Sequence, residues 1–263
     1  MLKFCSLYSG STGNSLLVEN DNTCILVDAG VSGIKIVEAL NAINININEI
    51  SAILVTHEHT DHIKSIGTLS KKYNIPVFAN KETWEAMPNE AKKIALDCHK
   101  NFVIDKKFAI GSLEILPFSI PHDAANPCGF NIFSSNKKIS IATDIGHITS
   151  SIFNNLKNSS FMLLESNYDP EVLKYSPYPY QLKRRIAGPN GHLPNQDAGN
   201  TISKLIDSGL KSVMLGHLSK ENNFPELAKQ TVLEELVSNN FSENSVNLYV
   251  ASRTEPSSLL EVI

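Results

Sequence analysis

His57-Glu58-His59-Thr60-Asp61-His62 sets three imidazoles and the Asp61 carboxylate within six residues. The apolar run Ala52-Ile53-Leu54-Val55 precedes it, so the cluster stands where a buried strand should end. Zinc, manganese and iron take imidazole nitrogen and carboxylate oxygen as ligands. The spacing H-x-H-x-D-H lets two side chains face one metal and two a neighbour. A charged loop with chance histidines is the bland alternative. A protease of the H-E-x-x-H type is excluded, because Asp61 stands where the second His should be.

The rest of the chain is that of an ordinary globular protein. Its 263 residues suffice to bury about three quarters of the unfolded surface. The formal net charge of −4 gives no global basic field to attract nucleic acid, although a local patch could hold phosphates. Met1-Leu2-Lys3-Phe4-Cys5-Ser6 has no apolar core of a signal peptide. No apolar run approaches the roughly 20 residues of a membrane span, so no membrane association is expected. Cys5, Cys24, Cys98 and Cys128 form no C-x-x-C pair, which argues against a zinc knuckle or a redox motif. Reduced thiols and a cytoplasmic location are therefore the expectation.

Short Val- and Ile-rich runs recur, each leading to a polar residue. Thr23–Val27 leads to Asp28, Leu113–Ile120 to His122, and Ile139–Ala142 to Asp144. Phe161–Leu164 leads to Glu165, and Ser212–Leu215 to His217. Such runs predict strands buried on both faces, and loops at strand ends are where rigid scaffolds mount working groups. Helical periods fill the gaps. Ser32 caps a helix with Ile36, Leu40 and Ile43 inward, and Ile63, Ile66 and Leu69 continue from the histidine cluster. Asn195 caps another with Ala198, Ile202 and Leu205, closed by Gly209. Asn223 and Pro225 open a last one with Ala228, Val232 and Leu236 inward. Helices outside two sheets fit this order, with a weak two-fold organisation breaking near residue 110. His99 and His147 lack such placement and read as surface or core histidines.

With these residues in hand, the chain resembles the metallo-β-lactamase superfamily over nearly its whole length. The resemblance implies an α/β fold, a four-layer αβ/βα sandwich, as one domain over residues 1–263. It implies two divalent metal ions at one edge of the facing sheets, with His57, His59 and His122 on the first. Asp61, His62 and His217 would bind the second, Asp144 would bridge, and Asp28 would orient the site from behind. Plain turn or cap roles for Asp28, His122 and Asp144 are the competing readings. Zinc, manganese and iron are equally compatible with such donors.

Substrate class must come from elsewhere. Glu165-Ser166-Asn167 and Gly191-His192-Leu193-Pro194-Asn195 resemble paired elements of the superfamily's nucleases, such as tRNase Z, where a glutamate-held histidine protonates the leaving alkoxide. The resemblance implies that His192 and Glu165, with Asp61, form the catalytic group. Ser9-Gly10-Ser11-Thr12-Gly13-Asn14-Ser15 could cradle a phosphate through Ser11 and Asn14, or be a plain turn. Tyr175 to Arg185 interleaves tyrosines with three consecutive cations, so Tyr180, Lys183, Arg184 and Arg185 are candidates to stack bases and hold a backbone. A loop packed by its prolines is the alternative.

Together with S-G-S-x-G-N, P-H-D before P-C-G-F, and L-E-S-N-Y-D, these stretches resemble the WalJ/YycJ group of the superfamily. That resemblance implies a bacterial, cytoplasmic, metal-dependent 5′→3′ DNA exonuclease linked to DNA repair. Pro194 departs from it, because Ser is expected there. A hydrolase of a cyclic phosphodiester, thioester or lactone, and a metal-holding scaffold without turnover, are the competing functions. Oligomeric state is not legible.

Overall fold

The computed structural model describes all 263 residues. In chain order, β1 (Lys3–Tyr8), β2 (Ser15–Asn20), β3 (Thr23–Val27), β4 (Ile50–Leu54), β5 (Val77–Ala79) and β6 (His99–Asn101) build one sheet. The second holds β7 (Phe108–Ile110), β8 (Leu113–Ser119), β9 (Cys128–Ser134), β10 (Lys137–Ala142), β11 (Phe161–Glu165), β12 (Ser212–Gly216) and β13 (Asn247–Val250). The last strand, β14 (Leu260–Glu261), returns to pair with β1. Each sheet has seven strands, and the chain passes from one to the other between Asn101 and Phe108, where the sequence predicts the break.

Each sheet is antiparallel on one side and parallel on the other. β1, β2 and β3 are antiparallel neighbours, whereas β3 to β6 run parallel. In the second sheet β7 to β10 are antiparallel and β10 to β13 parallel. Parallel neighbours need crossover connections, which here are mostly helices. Those helices cover the outer faces and leave the inner faces to each other.

Three apolar clusters follow from this layering. Phe4, Val18, Ile25 and Leu54 of one sheet meet Phe130, Ile141, Phe161 and Met214 of the other; the Phe4 and Phe161 rings lie 4.6 Å apart. Outside the first sheet, Leu7, Leu26 and Ile53 pack with Ile36 and Leu40 of the helix Gly33–Ala42 and Ile66 and Leu69 of the helix Ile66–Tyr73. Outside the second, Met162, Leu164 and Val213 meet Ile152, Ile202 and Val232 from the helices Ser150–Leu156, Asn195–Ile206 and Pro225–Ser238. Burying apolar surface on both faces of the central strands is what the unbroken Val/Ile runs demand.

Some local expectations need correction. β8 is not buried on both faces: Glu114 and Ser119 are exposed, because it lies one strand from the sheet's edge. The helix after the histidine cluster is two pieces, Thr60–Ile63 and Ile66–Tyr73. Ser65 between them turns its hydroxyl onto the carbonyls of Ala29 and Val31. Asn195 does not cap its helix; Pro194 holds that position, and the buried Asn195 amide bonds to Ser166 and Asn223 instead.

Candidate metal centre and active site

Asp28, His57, Asp144, Glu165 and His217 follow or close β3, β4, β10, β11 and β12 on the same edge of the sandwich, the carboxyl ends of parallel strands, where open α/β sheets mount ligands. Asp28, Asp144 and His217 each have φ between 55° and 63°. This left-handed backbone is uncommon for side chains other than Gly, Asn and Asp, and recurs where function over-determines geometry.

Four of the five clustered histidines are fixed from behind. His62 donates Nδ1–H to Asp28 Oδ2 at 2.7 Å, and Asp28 also accepts from the Thr56 backbone N–H and hydroxyl. His57 Nδ1 meets the Thr56 hydroxyl at 3.0 Å. His122 donates Nδ1–H to the Gly191 carbonyl, and His217 donates to Glu165 Oε1. Second partners of this kind set the tautomer and turn the other ring nitrogen into a ligand.

Those other nitrogens converge. His57, His59 and His122 offer ligand atoms within 4.8 Å of one another, as do Asp61, His62 and His217, and His57, His62 and Asp144. Asp144 lies between the sets, with Oδ2 3.3 Å from His62 Nε2 and Oδ1 3.5 Å and 3.7 Å from Nε2 of His217 and His122. His57 Nε2, His217 Nε2 and Asp144 Oδ2 are buried without any hydrogen-bond partner. Leaving buried polar atoms unmet costs about 1–3 kcal/mol each, and a divalent cation among them removes that cost. The donor set therefore fits divalent metal.

The electrostatics agree. Burial, with His62 beside it, holds His57 well below its ordinary value. Burial would lower His62 too, but Asp144, Asp28 and Asp61 push it up to about 9. Burial opposes ionisation of Asp144, yet His217, His62, His57 and His122 hold it well below the usual carboxylate range. A cavity that keeps Asp144 ionised and draws protons onto His62 and His217, while burial keeps His57 and His122 neutral, stabilises positive charge at its centre and leaves free imidazole nitrogens to bind it.

Glu165 is fully buried and does more than the sequence suggests. Its Oε1 accepts from Nδ1 of His192 at 2.8 Å and of His217 at 2.9 Å, while Oε2 accepts from the Ile145 backbone N–H. One carboxylate thus aims two imidazoles, one in the ligand cluster and one, His192, that still reaches solvent. Burial opposes its charge, but His192 and His217 hold it below its ordinary value.

The expected substrate residues separate. Asn14 is buried: its Oδ1 accepts from the Gly10 N–H and its amide lies 3.1 Å from His62 Nε2. The Ser9–Ser15 loop therefore buttresses the ligand loops, and Ser9 accepts from the His217 N–H; only Ser11 faces a cleft. That cleft, about 180 Å³, is walled by Ser11, Asp123, Tyr178, Arg185, His192 and Ser219, among others. The consecutive cations diverge around the helix Tyr180–Ile186. Lys183 donates to the Lys174 carbonyl, Arg184 lies 5.9 Å over the Tyr180 ring, and Arg185 alone joins the cleft. His147 is exposed and His99 stacks on Trp84, both apart from the site.

Several site residues escaped the sequence reading. Thr56 immediately precedes the motif, Asn167 donates to the His217 carbonyl at 2.7 Å, and Asp123 follows His122. Their adjacency to predicted ligands was the available signal. Gly30 also belongs here: a Cβ on it would lie 1.6 Å from the Asp61 carbonyl oxygen.

Residues 8–216 match the family model of the metallo-beta-lactamase superfamily. The chain is 41% identical to the exodeoxyribonuclease YycJ of Bacillus anthracis, over 91% of each chain. It is 37% identical to the exodeoxyribonuclease WalJ of Streptococcus pneumoniae, over 89% of this chain and 88% of that one. Among solved structures, the metallo-beta-lactamase fold protein YhfI from Bacillus subtilis superposes with a TM-score of 0.69 at 16% identity, over 98% of this chain and 99% of that one. The short form of human tRNase Z gives 0.67 at 14% identity, over 98% and 100%. At such identities the structural likeness shows the fold alone.

Proposed function

The chain belongs to the metallo-β-lactamase superfamily, and from that premise we propose that it hydrolyses phosphodiester bonds in nucleic acid, as a cytoplasmic exonuclease that trims DNA from the 5′ end in DNA repair. The observation that carries this reading is Glu165 Oε1 shared between His192 and His217. It stations an imidazole that reaches solvent beside the ligand cluster. Relatives named as exodeoxyribonucleases, matched over about nine tenths of the chain, support the substrate class.

His57, His59 and His122 would hold one divalent ion and Asp61, His62 and His217 a second, with Asp144 between them; such ions, zinc, manganese or iron, polarise phosphoryl oxygens and acidify the attacking water. The protein supplies the rest. Asp61 is the ligand-set carboxylate that stays open, 28% exposed against 3% for Asp144, and it aligns the incoming water. Glu165 accepts from His192 Nδ1–H, so the acid is the doubly protonated imidazolium, and its Nε2–H is the transferable proton. His192 passes that proton to the oxygen leaving phosphorus, sparing an alkoxide whose pKa lies far above 7. Its exposed edge takes a replacement proton from solvent. Holding the phosphate, water and acid together contributes further through orientation.

Purified protein with zinc or manganese, incubated with 5′- and 3′-labelled single strands of DNA and RNA, tests this. Stepwise release from the 5′ end of DNA is expected. Intact strands in every combination would eliminate the nuclease reading in favour of a small-molecule hydrolase.

A further inference from the structure

We infer that Asp123 is a positioning residue that holds the Arg185 guanidinium at the cleft as a clamp for a substrate phosphate, and that Lys183, two residues earlier on the same helix, has no part in it. The inference rests on the nucleic-acid reading above and names the side chains that receive the phosphate.

The Arg185 Nε–H donates to Asp123 Oδ2 at 2.6 Å, a short charge-assisted bond. Oδ1 of the same carboxylate lies 3.4 Å from His122 Nε2 and 4.0 Å from His59 Nε2. One carboxylate therefore separates the guanidinium from two atoms of the ligand cluster. Nε is the one Arg185 nitrogen bonded within the protein, which leaves the four N–H donors of Nη1 and Nη2 for a ligand. Arg185 and Asp123 are 61% and 34% exposed, and an ion pair this open adds little to folding. Its consequence is geometric: it fixes a long, flexible side chain in one place, so less freedom is lost when an oxyanion binds.

The backbone reinforces the placement. The His192 N–H donates to the Ile186 carbonyl, and the Gly191 carbonyl accepts from His122 Nδ1. The end of the Arg185 helix is thus bonded to the proposed proton donor, and the residue before that donor, Gly191, is bonded to a metal-ligand candidate. A Cβ on Gly191 would lie 2.1 Å from the Ile186 carbonyl oxygen, so only glycine permits this approach. Arg185 and His192 then flank the same 180 Å³ cleft at fixed separation, which Ser11 and Ser219 complete with hydroxyls. Lys183 instead spends its ammonium on the Lys174 carbonyl.

The paired carboxylate gives the inference a signature. Removing Arg185 leaves Asp123 as an uncompensated negative charge where a phosphate must sit, so Arg185→Ala should be worse than Arg185→Ala combined with Asp123→Asn. We expect Arg185→Ala to raise KM for single-stranded DNA roughly 10- to 100-fold with kcat little changed, as loss of charge-assisted bonds implies. The double variant should recover a good part of that loss. Arg185→Lys, which keeps the charge and loses the Nε bond, should fall between wild type and Arg185→Ala. Lys183→Ala should stay within about twofold of wild type, as surface changes do.

Isothermal titration of the metal-loaded protein with inorganic phosphate reads the same site without turnover, and should show the same order of affinities. Metal content, measured by elemental analysis, should match wild type in every variant. Loss of metal in Asp123→Asn would make Asp123 a ligand and overturn the positioning role. Equal KM values for Arg185→Ala and Lys183→Ala, or a double variant no better than Arg185→Ala, would equally overturn it. If wild type cuts no nucleic acid while phosphate affinity follows the predicted order, the nuclease reading fails and the clamp stands.

Discussion

His192 and Glu165 are separable by substitution because they touch different things. His192 is absent from the three groups built on the H-x-H-x-D-H histidines and joins Asp144, Glu165 and His217 in a fourth, where its Nδ1 is already bonded to Glu165, which orients both His192 and His217. His192→Ala should therefore keep its metal and lose roughly 10²–10⁴ in kcat, the usual worth of a general acid. Glu165→Gln should lose comparable activity and also weaken metal binding, because an amide cannot take two Nδ1–H bonds on one oxygen as well as a carboxylate does. Parallel measurement of kcat and bound metal decides the matter. Equal metal content in the two variants, with His217 indifferent to Glu165, would contradict the shared-carboxylate geometry. At this scale the sequence told most of the story for His57, His59, Asp61, His62, His122, Asp144 and His217, since each ends or follows a legible apolar run. Asn14 shows the limit. A Gly/Ser-rich stretch looks the same whether its side chains face solvent or, as here, prop a histidine from beneath.

The loops between elements work as interlocked units. The turn after β3, carrying Asp28, Ala29 and Gly30, is threaded through the metal-ligand loop: Asn14 N–H donates to the Asp61 carbonyl, Ala29 N–H to the His62 carbonyl, and Gly30 N–H to the Asn14 carbonyl. Gly30 permits the crossing because any Cβ there would overlap the Asp61 carbonyl. Gly30→Ala should consequently push the Asp61 turn outward and lower Tm, at about 1–3 kcal/mol for overpacking. It should also lose metal affinity, although Gly30 itself ligates nothing. Calorimetry and metal titration check both effects, and a variant with wild-type Tm and metal content would show the crossing to be looser than drawn. Helix ends illustrate why elements are only partly legible: Ser32 caps as expected, but Asn195 is drawn inward by Ser166 and Asn223. A buried polar partner outweighs a cap worth about 1 kcal/mol, and such partners come from distant strands.

Across the whole molecule, the two sheets meet so that seven carboxylates and imidazoles share one small volume, which couples folding to pH and to metal. His62, raised from its ordinary 6.5 to about 9, contributes stability that is complete below pH 6.5 and is lost as pH climbs through 9. Metal-stripped protein should therefore lose Tm over that window, by about 2–4 °C for each kcal/mol forfeited. Metal-loaded protein should not, because a bound cation replaces the proton. Scanning both forms from pH 6.5 to 9 tests this, and parallel curves would mean that the cluster does not demand positive charge. The amino-acid order by itself determined the strand-then-ligand pattern, the layered α/β class, the passage between halves near residue 110 and the ligand types, because hydrophobic periodicity and donor chemistry are local properties of the chain. Only the tertiary structure decided that Glu165 serves two histidines, that Asn14 is a buttress, and that of three adjacent cations Arg185 alone meets Asp123 at the cleft. Those outcomes depend on which strand ends and helix faces come together across 27 to 62 residues of sequence, and no local pattern encodes that distance.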